Sequence, residues 1–262
     1  MTLGTNFKEV DMYGCVEAFL GARGYEISAE VKRCDVVAIR GDTVVVVELK
    51  RSFGLHLVYQ ALRRQRVTPF VFVCIPMPKS LWGRPFSDML GLVRQLGLGL
   101  LLVSMDSAVP GVSVAVQPSG FSFDGAIDGA AAPPRRTNKR IRAEVIREAK
   151  GRSMNMNKGG SVGGRHQTAY REQSIRIACA LEVRGPQAPK ALINEHACRQ
   201  DTGRILSQNT YGWFDRISRG IYALSVQGQM FLDVEQQFRP LIDHYRQYYN
   251  PQSQHAQGKQ QL

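Results

Sequence analysis

The sequence predicts a mixed α/β fold whose core is a helix-flanked sheet, followed by a smaller helical domain that ends in a β-ribbon. Three observations predict it. Short β-branched runs and amphipathic stretches alternate over residues 10–103. One of those runs, Val44-Val45-Val46-Val47, is apolar on both pleat faces, as a central strand covered on both sides must be. After Asp124 the composition shifts to small residues and then to a basic stretch, before amphipathic helices resume.

Each element has its own reason. Over residues 10–22, Val10, Tyr13, Val16, Phe19 and Leu20 form a helical stripe that Gly21 and Gly24 stop. Residues 25–31, 34–39 and 43–49 read as strands, with Gly41-Asp42 as a tight hairpin connection. Residues 55–66 read as a helix with Leu55, Val58, Tyr59 and Leu62 on one side. Arg63, Arg64 and Arg66 close it, where cations suit the helix dipole. A strand over 70–75 ends at Pro76 and Pro78, a helix covers 86–96, and a further buried strand covers 98–103. The later strands therefore join through helical crossovers.

The expected domains are 1–124, a basic Gly/Asn-rich linker region over 125–167 with helical character at 135–150, a second domain over 168–235, and a tail over 236–262. Helices over 168–182, 186–195 and 201–208 precede a ribbon over 217–225 that turns at Gly220. Three helices and a small β-ribbon follow the winged-helix plan, a helix-turn-helix variant. The Gln-rich end from Pro251 onward is expected to be disordered.

Bulk properties exclude several classes. The chain has 262 residues and is 44% hydrophobic, too apolar for a disordered protein. Its longest apolar run, residues 96–103, falls far short of the roughly 20 residues a membrane span needs. The first ten residues are polar and lack the apolar centre of a secretory signal, so a soluble cytoplasmic protein is expected. Cys15, Cys34, Cys74, Cys179 and Cys198 are odd in number and contain no CxxC pair, which argues against a disulfide framework or a zinc site. The five histidines show no ligand spacing. Net charge is +12, of which residues 1–124 carry +2 and residues 125–262 carry +10. Such an excess suits a polyanionic partner, or simply a soluble surface.

One constellation carries chemistry. Glu48 and Lys50 sit two apart at the end of the valine strand and are expected on one face. Charges leaving such a strand cost several kcal/mol unless they are paired or bound. A hairpin at Gly41-Asp42 brings Asp35 back beside Glu48. Two carboxylates offer hard oxygen ligands to Mg²⁺, and a lysine can orient or deprotonate water and hold a phosphate. The competing reading is an ion pair at a strand end.

Asp35 with Val47-Glu48-Leu49-Lys50, in this element order, resembles the PD-(D/E)xK nuclease superfamily, whose core is a restriction-endonuclease-like mixed sheet. The resemblance implies a metal held by Asp35, Glu48 and the Leu49 carbonyl, Mg²⁺ or Mn²⁺, and a Lys50 that activates water. It further implies acidic contributions from Glu30 and Glu17 and a site role for Gln60. Cys34 stands where the superfamily usually has Pro. Over residues 10–228 the chain is similar to an uncharacterised bacterial family of PD-(D/E)xK-type phosphodiesterases. Its landmarks here are Gly24-Tyr25, Glu30-Val31-Lys32, Asp35-Val36-Val37, Thr168-Ala169-Tyr170-Arg171 and Tyr211-Gly212-Trp213-Phe214. Relatives usually carry an aspartate where this chain has Asn155-Met156-Asn157.

The expected function is metal-dependent hydrolysis of nucleic acid, with DNA the expected substrate and RNA left open. Arg204, Gln208 and Asn209 are candidates for a groove, and Arg216 and Arg219 for phosphates. Arg135, Arg136, Lys139 and Arg140 are candidates to track a backbone. Tyr211, Trp213 and Phe214 read as core. The other class open to the chain is a non-catalytic DNA-binding or regulatory protein on a nuclease-like scaffold. No membrane is implied, and a homodimer is compatible with this plan.

Overall fold

A helix, α1 (Glu9–Gly21), precedes a three-stranded meander of β1 (Glu26–Val31), β2 (Cys34–Arg40) and β3 (Thr43–Leu49). Then come α2 (Leu55–Arg64), β4 (Val71–Pro76), α3 (Arg84–Gln95), β5 (Gly99–Ser104), β6 (Gly111–Val116) and α4 (Lys139–Lys150). This computed structural model describes residues 8–104, 111–123, 137–152, 157 and 167–250, and divides into two compact units between His166 and Gln167.

In the first unit the six strands form one sheet in sequence order. The β1–β2, β2–β3 and β5–β6 pairs are antiparallel, and β3–β4 and β4–β5 are parallel, because helical crossovers join only those two pairs. The β2–β3 hairpin closes at Arg40↔Thr43, and Gly41 supplies the positive φ its two-residue turn requires. The other hairpin turn does without glycine: Lys32 (φ 49°) and Arg33 (φ 70°) both lie in the left-handed region.

The alternation of side chains assigns two core layers. Val37, Ile39, Val44, Val46 and Val73 pack with Leu57 and Ala61 of α2, Val93 of α3, and Val145 and Ala149 of α4. Val36, Ala38, Val45, Val47 and Leu49 pack on the other face with Met12, Tyr13, Val16 and Leu20 of α1, and with Phe121 and Phe123. All four valines of the 44–47 run are buried, so β3 is covered on both faces as its composition requires.

The second unit contains α5 (Ala169–Arg184), α6 (Pro189–Asn194), α7 (Thr202–Gln208), the hairpin β7 (Phe214–Ser218) and β8 (Ile221–Leu224), α8 (Val226–Val234) and α9 (Arg239–Tyr249). Its aromatic spine stacks Tyr211 on Trp213 (4.6 Å) and Trp213 on Phe231 (4.0 Å), a core role as expected.

Four expectations need correction. Residues 139–150 are not linker: α4 docks on the sheet, its cap residue Asn138 donating its N–H to the Arg66 carbonyl (2.8 Å). Residues 236–250 are not a tail, because α9 buries Leu241, Ile242, Tyr245 and Tyr249. Neither β6, a half-exposed edge strand, nor α8 was anticipated. The ribbon starts at Phe214 rather than Ile217. Arg135, Arg136, Asn155, Met156 and the Gln-rich end from Pro251 lie outside the described residues.

All five cysteines are free thiols. Among the described residues no helix is long and apolar enough to cross a membrane.

Candidate active site

Strand register assembles the site. Antiparallel pairing of Val36 with Val47 makes Asp35 and Glu48 the next opposing residues at the end of the β2–β3 hairpin. Both follow the parity of Val37 and Val46 and so face the α2 layer. Asp35 Oδ2 accepts the Leu49 N–H (2.8 Å), which ties the two strand ends together.

Glu48 has no exposed side-chain surface. Its Oε1 accepts Nε of Arg64, from the last turn of α2, at 2.7 Å. Its Oε2 is buried with no hydrogen-bond partner. Burial, and then the neighbouring Asp35 carboxylate, push the Glu48 carboxyl up to about 7, against the pull of Arg64. Burial likewise raises Asp35, while Lys50 and Arg64 act to lower it and Glu9 to raise it. The Cys34 thiol beside them is pushed up by burial to about 12 and stays protonated.

Lys50 follows directly on β3, and its N–H still bonds the Cys74 carbonyl of β4 (3.0 Å). Its Nζ pairs with Glu9 Oε2 at 2.7 Å. Glu9 begins α1, whose buried residues belong to the opposite core layer. The three motif residues thus meet at the end of the sheet. Asp35 stands between them, within the fields of Lys50, Glu9 and Arg64.

The remaining predicted residues divide. Glu17 accepts a hydrogen bond from the Tyr13 hydroxyl (2.9 Å) and lies two helical turns from Glu9, about 12 Å along the axis. The α1 acid whose field reaches Asp35 is Glu9, which pairs with Lys50. Topology could have found it: α1 runs back along β1, so its start, not its middle, lies beside Asp35. Glu30 has a positive φ (53°), and its carbonyl accepts Nη2 of Arg152 (3.0 Å). Gln60 precedes Arg64 by one turn on the same helix face, and its Oε1 is buried without a hydrogen-bond partner. Arg64 was missed as a site residue. Its signal was present in a buried acid that needs a cation and an arginine four residues after Gln60.

In the second unit Arg204, Gln208, Arg216 and Arg219 are exposed, and Arg204 pairs with Asp201 (3.5 Å). Asn209 does not face a groove. It caps α7 in the left-handed region, and its amide bonds both backbone groups of Phe214 (2.7 and 3.2 Å). Lys139 and Arg140 are exposed at the start of α4, where Arg140 pairs with Glu144.

Residues 101–230 match the family model described as "Putative PD-(D/E)XK phosphodiesterase (DUF2161)". That stretch is what the chain shares with the family. No curated protein and no solved structure matches the chain. The family match begins at Leu101, downstream of Asp35, Glu48 and Lys50, so it does not reach these residues. A six-stranded mixed sheet flanked by helices is compatible with a nuclease-like core.

PD-(D/E)XK phosphodiesterases generally use divalent metal ions. Among the described residues no group of three or more His, Cys, Asp or Glu side chains is disposed to hold one. The donor set nonetheless fits a small hard cation. Mg²⁺ needs only one or two protein carboxylates and keeps its waters. Glu48 Oε2 is a buried carboxylate oxygen without a partner, and the Asp35 carboxylate that raises its pKa lies beside it.

Proposed function

We propose that the chain is a divalent-metal-dependent phosphodiesterase that hydrolyses nucleic acid at the Asp35–Glu48–Lys50 end of the sheet. The observation that carries this reading is the partnerless buried Oε2 of Glu48 beside a second raised carboxyl. Two acids gathered in low dielectric are costly without a cation, and Arg64 answers only one of the four oxygens.

Asp35, Glu48 and the Leu49 carbonyl are the groups that would hold the ion. Bound there, Mg²⁺ or Mn²⁺ would polarise a phosphoryl oxygen and acidify a water. Lys50, held by Glu9, places an ammonium at the same strand end, where it orients the attacking water and balances charge on the phosphate. Arg64 fixes the Glu48 carboxylate through Oε1 and leaves Oε2 for the ion. Gln60, one turn earlier on α2, offers a neutral polar group on that side.

The second unit supports nucleic acid as the substrate. Three helices precede its hairpin, the order that a winged-helix reading asks for, and Arg204, Gln208, Arg216 and Arg219 are exposed. We assign DNA as its polyanion. A second reading has a specific observation behind it: Arg64 and Glu9 already pair Glu48 and Lys50 within the protein, as a non-catalytic DNA-binding scaffold would allow.

The two are separated by incubating wild-type protein and Glu48→Gln with plasmid, linear, single-stranded and RNA substrates in Mn²⁺ or Mg²⁺. Metal-dependent cleavage by the wild type alone is expected. Equal cleavage by the variant, or none by either alongside retained DNA binding, would sink the hydrolase.

A further inference from the structure

Beyond the carboxylates, the parallel strands β3 and β4 end at a cleft of about 520 Å³. Its floor and walls are apolar, formed by Phe53, Ile75, Met77, Phe86 and Met89. Its rim is basic, with Arg51 immediately after Lys50, and Lys79 on the β4–α3 loop. That volume is in the range of about 300–1,000 Å³ typical of pockets that enclose a small organic ligand. Phe53, Met77, Phe86 and Met89 pack against the core layer that Glu48 faces, so cleft and acids share one side of the sheet.

The loop that borders this cleft carries an unusual side chain. Lining residues Ser80 and Pro85 bracket Trp82, which is 87% exposed. A large aromatic so exposed is poorly explained by folding, because it buries almost nothing. Its backbone is nevertheless fixed: Ser80 Oγ donates to the Trp82 carbonyl (3.0 Å) and accepts the Trp82 N–H (3.2 Å).

An apolar slot rimmed by cations, with an exposed indole on the loop that borders it, has the complementarity of an unpaired nucleotide. A base needs a dry face on which to stack, and its flanking phosphates need positive charge. Resting on the proposed phosphodiester chemistry, we infer that this cleft takes an unpaired nucleobase next to the scissile phosphate. Arg51 and Lys79 hold the backbone, and Trp82 covers the base. The favoured substrate is then single-stranded or locally unpaired nucleic acid, since a base stacked inside a duplex cannot enter.

The test uses the full-length protein in EDTA, so that binding is read without cleavage. The probe is a short oligothymidylate, set against its duplex with oligoadenylate and against inorganic polyphosphate. The chain has two tryptophans, and Trp213 is buried, so quenching by the oligonucleotide reports Trp82. Oligothymidylate should quench the emission and bind more tightly than either comparison ligand. Trp82→Ala, at an exposed site that cannot disturb folding, should weaken it about tenfold, as loss of one stacked base predicts. Phe86→Ala should do the same with an unchanged circular dichroism spectrum. Unchanged affinity in both variants, no quenching, or equal binding of polyphosphate would each overturn the pocket. Wild-type protein that quenches but never cleaves in Mn²⁺ overturns the hydrolase alone, and cleavage without quenching overturns the pocket alone.

Discussion

Arg64 and Glu48 form a one-sided pair: Nε meets Oε1 at 2.7 Å, while Oε2 of the same carboxylate stays buried and without a partner. Arg64 is thus the counter-charge that lets an acid at the end of a valine strand be tolerated before any ion arrives. Replacing Arg64 with Met should leave Glu48 and Asp35 without it. Removing one member of a buried pair costs about 3–5 kcal/mol, and the slight exposure of Arg64 points to the lower end. Urea unfolding at pH 8 measures this cost. At pH 5.5, where Glu48 holds its proton, the variant should lose clearly less, and an equal loss at both would mean that Arg64 acts by packing.

The raised Glu48 carboxyl has its own signature. Unfolded, it titrates near its ordinary value of 4.5; folded, it holds its proton to about 7. Between those values the folded state binds more protons, so stability falls as pH rises through that window and is level above it. The span corresponds to a loss on the order of 3 kcal/mol, and Asp35, shifted the same way, adds to it. A divalent ion replaces the proton, so Mn²⁺ should raise the melting temperature more at pH 8 than at pH 5.5. Thermal scans of wild type and Glu48→Gln in EDTA check this, because the variant should lose most of the slope between pH 4.5 and 7.

Lys50 and Glu9 make a different kind of pair, partly exposed and meeting where the sheet ends. A pair of that exposure contributes up to about 1 kcal/mol, so Lys50→Ala should unfold within that margin of the wild type. Its effect on cleavage should be far larger, about a hundredfold or more, if the ammonium positions the water in the transition state. Single-turnover rates with saturating Mn²⁺ separate that loss from weaker metal binding. A rate close to wild type would remove Lys50 from the chemistry.

Period and register made much of the first unit legible. The valine run, the Gly41-Asp42 turn and the ordered crossovers gave five of its six strands, and with them the meeting of Asp35 and Glu48. The partner of Lys50 was not legible, because Glu9 lies 41 residues away in sequence. The resemblance points to Glu17, and the nearness of Glu9 to Lys50 is not visible until the helix direction against the sheet is known. The edge strand β6 is half-exposed and built of small residues, so its alternation is faint. In the second unit α9 reads as a polar tail, since Arg239, Asp243, His244, Arg246 and Gln247 mask the four residues it buries.

That hidden helix docks on a buried acid, which gives the last prediction. Glu172 of α5 is fully buried, and its oxygens accept the Tyr245 hydroxyl (2.9 Å) and the Gln167 amide (2.6 Å). Tyr245→Phe keeps the ring and removes one donor to the acid. A hydrogen bond to a charged group contributes about 1.5–3 kcal/mol, so the variant should unfold that much more easily. If the loss comes from the acid, it should shrink to about 1 kcal/mol in a Glu172→Gln background, where the acceptor is neutral. Urea titrations of the four proteins close the cycle. A penalty that ignores residue 172 would show that the Tyr245 hydroxyl acts through a group other than Glu172.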